Sequence, residues 1–232
     1  EAALRLVVGL GNPGRSYAFN RHNVGFLAAD TIVRRHGFGP WRSRFQGTAS
    51  EGDLAGDKLL VLKPETYMNE SGRAVEAAAQ FYKIPLDQIF VIHDEIDLVP
   101  GKVRVKQGGG AAGHNGLRSI DAHLGPAYWR IRLGVGHPGS PELVKAYVLQ
   151  DFAKDEQPLI GTMIEAVVQA LPLLLSGDAN GFMSKVDVSV KPPRPKPPRP
   201  DAADDAKPKQ GNAKPGCDKS PDGDKSNGGQ SA

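Results

Sequence analysis

The stretch Leu4-Arg5-Leu6-Val7-Val8-Gly9-Leu10-Gly11-Asn12-Pro13-Gly14 joins a short apolar run to a glycine loop. Leu4 to Val8 is β-rich and stops at Gly9, which reads as a buried strand. Working outward, Val24 to Arg35 carries Phe26, Leu27, Ile32 and Val33 at helical spacing, and Gly37 closes that helix. Lys58 to Leu62 reads as a strand halted at Lys63-Pro64, and Ser71 to Tyr82 as a helix ending before Pro85. Gln88 to Ile92, Lys102 to Lys106 and Arg130 to Val135 read as further strands. Helices are expected at Asn115 to His123, Glu142 to Val148 and Asp155 to Leu175, with Pro172 kinking or shortening the last. Strands interleaved with helices predict an α/β domain on a mainly parallel or mixed sheet.

The loop Gly9 to Gly14 fits G-x-G-x-x-G, the spacing of a dinucleotide site. Such a loop should open directly into a helix, with an acidic strand end about 20 residues on. Here Arg15-Ser16-Tyr17-Ala18-Phe19-Asn20-Arg21-His22 intervenes, and no such acidic strand end follows. The expectation is instead that the glycines admit close backbone approach and that Asn12 projects from the strand end.

At 232 residues, with 39% hydrophobic and 24% charged side chains, the chain is expected to bury a sizeable core. A single cysteine, Cys217, excludes an internal disulfide framework. No apolar run approaches the roughly 20 residues that span a bilayer. The strongest candidate, Ala166 to Leu175, is interrupted by Gln169 and Pro172. Glu1-Ala2-Ala3-Leu4-Arg5 has no signal-peptide pattern, so a cytoplasmic location is expected. The net charge of +3 permits an anionic partner without requiring one. Domain organisation is read as 1–190 folded and 191–232 a disordered Pro/Lys/Asp-rich tail, either a solubilising appendage or a basic arm for RNA.

Four separated segments place polar or titratable groups just after a strand or beside a helix start. They are Asn12 with Tyr17 to Asn23, Thr66 to Asn69, His93-Asp94-Glu95, and His114-Asn115-Gly116. If their strands are neighbours, all four meet at one sheet edge. A histidine, a carboxylate and several carboxamides suit attack by water on a neutral carbonyl. No G-x-S-x-G elbow supplies a nucleophile. Singly, each has another reading: Asn69 and Asn115 as helix caps, Asp94-Glu95 as a turn cap, and His22 as a satisfied core histidine. His93, His114 and Asp94 as metal ligands lack an i, i+4 pair, so no metal or other cofactor is expected.

Taken in order, Val8 to Gly14, Asn20 to Phe26, Lys63 to Gly72, His93 to Leu98, Gly113 to Ile120, Arg130 to Pro138 and Tyr147 to Leu149 resemble the blocks of bacterial-type peptidyl-tRNA hydrolases. The resemblance covers roughly residues 4 to 180. It implies a single α/β domain, a mixed, mostly parallel sheet between helices, acting as a monomer without metal on peptidyl-tRNA. It implies His22 as catalytic base, Asp94 as its orienting partner, and Asn12, Asn69 and Asn115 as positioning groups. Tyr17, Tyr67 and Met68 would wall the cleft around the 3′ adenosine and the peptide, with His114 beside them. Lys102, Arg104, Lys106 and Arg132 would meet phosphates at the tRNA acceptor end. Glu65 and the run Gln107 to Ala112 depart from the common pattern. A catalytically silent RNA-binding protein and a small-molecule hydrolase are the rival readings; only the latter predicts binding insensitive to salt.

Overall fold

The computed structural model describes residues 3–191. The reading of a disordered tail lies, apart from Lys191, outside the described residues, as does Cys217. In chain order the elements are β1 Leu4–Gly9, α1 Val24–Arg35, β2 Arg42–Arg44, β3 Gly47–Leu54, β4 Asp57–Pro64, α2 Ser71–Tyr82 and β5 Ile89–Glu95. There follow β6 Val103–Gln107, α3 Asn115–Leu124, β7 Trp129–Gly134, α4 Val144–Val148, α5 Gln157–Leu175 and α6 Ala179–Ser189. Seven strands form one sheet in the order β2-β3-β4-β1-β5-β7-β6.

The four central strands β4, β1, β5 and β7 run parallel, and the outer β2, β3 and β6 pair antiparallel. Parallel character is therefore confined to the centre, where both faces are covered. Alternate residues serve two cores. Val7, Val61, Phe90, Ile92 and Ile131 face α1, α5 and α6. Leu6, Val8, Leu62, Ile89 and Val91 face α2 and α3. Strands buried on both faces read as continuous apolar runs, which is why β1, β4 and β5 stood out in the sequence.

The glycine loop after β1 is packed closely against the first turn of α1. A Cβ on Gly9 would overlap the carbonyl oxygen of Gly25, and one on Gly25 would lie 2.5 Å from the Ile92 oxygen. A Cβ on Gly11 would lie 2.6 Å from the Phe26 ring. Small residues thus bring the first turn of α1 onto the ends of β1 and β5. That contact delivers the segment preceding α1 to the carboxyl edge of the sheet.

Three elements escaped the sequence reading. The β2–β3 and β3–β4 hairpins turn through Phe45-Gln46 and Ala55-Gly56, with every φ between +53 and +83°. Those are two-residue turns with both centres left-handed, built mostly from residues that do not advertise them. The third is α6, capped by Asp178, whose Oδ1 accepts the Gly181 N–H at 2.8 Å. Its start, Asn180-Gly181, reads locally as a turn.

Pro172 does not break α5, which continues to Leu175. Proline cannot donate to the carbonyl four residues back. The Val168 oxygen so released lies 3.0 Å from His36 Nε2, at the end of α1. The sequence reading also understated α5. Its 19 residues, with a mean hydropathy of 1.7, are long and apolar enough to cross a membrane by composition. In the fold its apolar residues, Met163, Val167, Ala170 and Leu171 among them, are core.

Gly25→Ala is expected to lower stability by at least about 1–3 kcal/mol, because only backbone can yield. Gly161→Ala on α5, where the new Cβ meets nothing within 4 Å, should raise it by about 0.5–1 kcal/mol. Urea midpoints moving in the same direction for both variants would contradict this packing account.

Candidate active site

Each polar segment reaches the carboxyl edge for a local reason. Asn12 follows β1, Asp94 is the penultimate residue of β5, and His22 sits in a 3-10 turn, Arg21–Asn23, that runs into α1. Tyr67 immediately precedes a second 3-10 turn, Met68–Glu70, ahead of α2, and His114 stands just before α3. Together they line a cavity of about 660 Å³.

Asp94 is 3% exposed and is gripped from two sides. His22 Nδ1 lies 2.9 Å from each of its carboxylate oxygens, and His114 Nε2 lies 2.9 Å from Oδ1. His114 Nδ1 accepts the N–H groups of Gly116 and Leu117 at 3.1 and 3.3 Å, capping α3. A backbone N–H can only donate, so that nitrogen carries a lone pair and the proton sits on Nε2, directed at Asp94. His22 likewise donates from Nδ1, leaving Nε2 as its free acceptor.

Burial works against charge on both partners, but each is overruled. The carboxylate of Asp94 holds the His22 pKa above its ordinary 6.5 despite burial. The two imidazoles and their hydrogen bonds hold Asp94 well below the usual carboxylate value, again against burial. His93 behaves oppositely. Complete burial, with His114 adding to it, pushes its pKa down to about 3. Its Nδ1 donates to the Asp94 carbonyl at 2.8 Å, and it does not line the cavity. Of the titratable residues in the sequence cluster, His93 is thus a neutral structural group.

Asn12 is fixed with equal economy. Its N–H donates to Asn23 Oδ1, Asn23 Nδ2 donates to its carbonyl, and its Oδ1 accepts the Met68 N–H, each at 2.9 Å. With the oxygen engaged, the amide NH₂ is the group Asn12 has left to offer the cavity it lines. Asn69 and Asn115 also line it. Neither caps a helix: α2 has no side-chain cap, and α3 is capped by His114. Tyr67, 63% exposed, and Met68 form part of the wall.

Tyr17 stands apart, on a 3-10 turn Arg15–Tyr17 outside the cavity lining. Arg104 and Arg132 face one another in register on β6 and β7, with Lys106 and the buried Arg130 forming the next pair on that sheet face. Lys102 precedes β6. Arg104 is held by Asp187 at 3.1 Å, and Arg132 approaches Glu95, a cavity residue, at 4.0 Å. None of Lys102, Arg104, Lys106 and Arg132 lines the cavity, and Arg132 approaches it through Glu95. Sequence reading passed over Asn23, which joins the Asn12 loop to the His22 turn, and the wall formed by Val144, Lys145 and Val148 of α4. Asn23 and Val148 both lay inside recognised blocks, but the local pattern of α4 reads only as a helix.

His22, Asp94 and His114 offer ligand atoms within 4.8 Å of one another. The fit to a metal is poor, because His114 Nε2 could ligate only by moving its proton to Nδ1, against two backbone donors. The set is arranged to hold protons. A His–Asp pair at the carboxyl edge of an α/β fold, with carboxamides around it, is a set of groups suited to a hydrolase.

The chain belongs to the peptidyl-tRNA hydrolase family: the family model described as Peptidyl-tRNA hydrolase matches residues 6–194. It is 54% identical over 211 residues to a peptidyl-tRNA hydrolase of Rhodospirillum rubrum, covering 91% of this chain and 85% of the relative. With a peptidyl-tRNA hydrolase of Azorhizobium caulinodans the identity is 60% over 186 residues, 80% and 91% of the two chains. The crystal structure of peptidyl-tRNA hydrolase from Acinetobacter baumannii superimposes with a TM-score of 0.76 at 39% identity, covering 80% of this chain and 96% of that one.

NMR titration is expected to place the His22 imidazole above 6.5 and, in Asp94→Asn, below it, since burial then acts alone. His93 should remain neutral to about 3. A His22 pKa unmoved by Asp94→Asn would show that the carboxylate does not set it.

Proposed function

We propose that this chain hydrolyses the ester joining a peptide, or an N-blocked amino acid, to the 3′ end of tRNA, with His22 as general base. The observation that carries the reading is the double contact of His22 Nδ1 with buried Asp94, which leaves Nε2 as the acceptor at the cavity. Nε2 takes a proton from water as its oxygen attacks the ester carbonyl. The resulting oxyanion accepts a hydrogen bond from the Asn12 amide. On collapse the C–O bond to the ribose breaks, and the imidazolium returns its proton to the departing hydroxyl. Asp94 stabilises the imidazolium in between.

Base assistance of this kind supplies about 10²–10⁴-fold, and one oxyanion donor about 10²–10³-fold. Asn69 and Asn115 orient the peptide. Tyr67 offers an exposed ring for stacking of the terminal adenosine, with Met68 beneath, and such stacking is worth about 1–3 kcal/mol per base. Lys102, Arg104, Lys106 and Arg132 supply phosphate contacts next to the cavity. Tyr17, outside the lining, is given no role. The protein acts as a monomer in the cytoplasm, returning tRNA to translation.

The test is release of N-acetyl-amino acid from N-acetyl-aminoacyl-tRNA beside the unblocked substrate, without added metal. Cleavage confined to the blocked substrate is expected, and tRNA binding without cleavage would favour a silent RNA-binding scaffold. His22→Ala should reduce kcat by at least about 10²-fold, and a loss below about tenfold would remove His22 as base. Because the base must be deprotonated and its pKa is raised, kcat/KM should climb with pH along a limb centred above 6.5.

Arg104→Ala, Lys106→Ala and Arg132→Ala should raise KM with kcat little changed. Each should flatten the log–log salt slope of tRNA binding by roughly 0.7–0.9. A slope unchanged in all three would move the phosphate contacts elsewhere.

A further inference from the structure

One wall of the cavity is α4, five residues long, with Val144, Lys145 and Val148 in the lining. Beyond its own preceding turn, its main packing partner is the 3-10 turn Arg21–Asn23, which presents His22. The stretch that follows α4, Gln150 to Phe152, is bonded in turn to the stretch Phe19 to Arg21 that leads into this turn. The Arg21 N–H donates to Gln150 O at 3.0 Å, and the Phe152 N–H to Phe19 O at 3.1 Å. Asn20 Nδ2 donates to Asp151 Oδ1 at 2.7 Å.

At the centre lies the Arg21 side chain, in a residue only 6% exposed. Its guanidinium donates to Glu156 Oε2 at 2.7 Å and to the Tyr147 carbonyl at 3.2 Å, and lies 4.0 Å above the Tyr147 ring. Glu156 Oε2 also accepts the Ala153 N–H at 2.8 Å, and Tyr147 Oη donates to Val135 O at 2.6 Å. One cation therefore reaches the end of α4, the segment behind it and the start of α5, from the position adjoining His22.

We infer that Arg21 is a positioning residue: its ion pair with Glu156 and its stacking on Tyr147 set the distance between His22 and the α4 wall. Tyr147 also packs against the main core, and the buried charge pair adds a directional constraint on the width of the cleft that apolar contact alone does not give. The side chain that suits this is arginine. A planar fork can serve a carboxylate, a carbonyl and a ring at once, whereas a lysine ammonium serves one point. The inference rests on the proposed reading only for its kinetic part, since the attachment of α4 is measurable without turnover.

The experiment compares wild type, Arg21→Lys and the milder Glu156→Gln by amide hydrogen exchange and by cleavage of N-acetyl-aminoacyl-tRNA. Exchange at residues 144–149 should quicken in both variants while β1 and β5 keep their protection. KM should rise about tenfold, with kcat within about threefold and the pH limb unmoved, because the His22–Asp94 contact is untouched. Arg21→Met should be worse than Arg21→Lys. A merely structural ion pair would lower the active fraction, so a fall in kcat at constant KM would overturn the inference. So would unchanged exchange at residues 144–149. Altered exchange in a wild-type protein that cleaves nothing would retain the latch and reject the hydrolase reading.

Discussion

A carboxylate buried among apolar strands costs several kcal/mol unless donors surround it, and Asp94 is the group whose burial the rest of the site answers. Two imidazoles donate to it, and each is locked from behind. His114 is locked because it caps α3; His22 because its turn is pinned between the glycine loop and α1. Helix capping, strand-end geometry and the protonation state of the site are therefore one problem with one solution. Removing the cap would free the tautomer of His114, and with it the orientation of the carboxylate.

The glycines belong to the same constraint. Gly9, Gly11 and Gly25 let α1 approach β1 and β5 more closely than any side chain would permit. Without that approach the turn before α1 would stand away from the end of β5, and His22 would not reach Asp94. A motif with the spacing of a cofactor loop is here used for chain packing, and its product is the placement of a base.

Much of this was legible in the sequence, and the boundary is physical. Helices α1 and α2 follow from apolar period and terminal signals, and match to the residue. The central strands follow because burial on both faces leaves continuous apolar runs. The hairpins around β3 were not legible, because Phe45, Gln46 and Ala55 adopt left-handed turn conformations that such side chains do not advertise, and Gly56 alone is a weak signal. The gathering of polar segments at strand ends was visible. Which histidine of His22, His93 and His114 keeps a free nitrogen at the cavity was not readable from local pattern, since it depends on which face of β5 each meets. Helix α4 was read, but its place as a cavity wall was not, because Arg21, which bonds to it, lies more than 120 residues away in sequence.

The junction of Pro172, Val168 and His36 has a consequence for the larger core. Contact between α1 and α5 is chiefly apolar, and oily surfaces slide past one another at little energetic penalty. A proline that leaves one inward carbonyl bare, met by one imidazole from the facing helix, turns that smooth contact into a notched one. Shifting α5 by a single turn would strand the carbonyl in a dry interior and leave the imidazole unmatched. The missing N–H thus acts as a detent, giving two greasy cylinders a preferred setting along their length, with Arg35 and Glu165 marking the same setting at the surface.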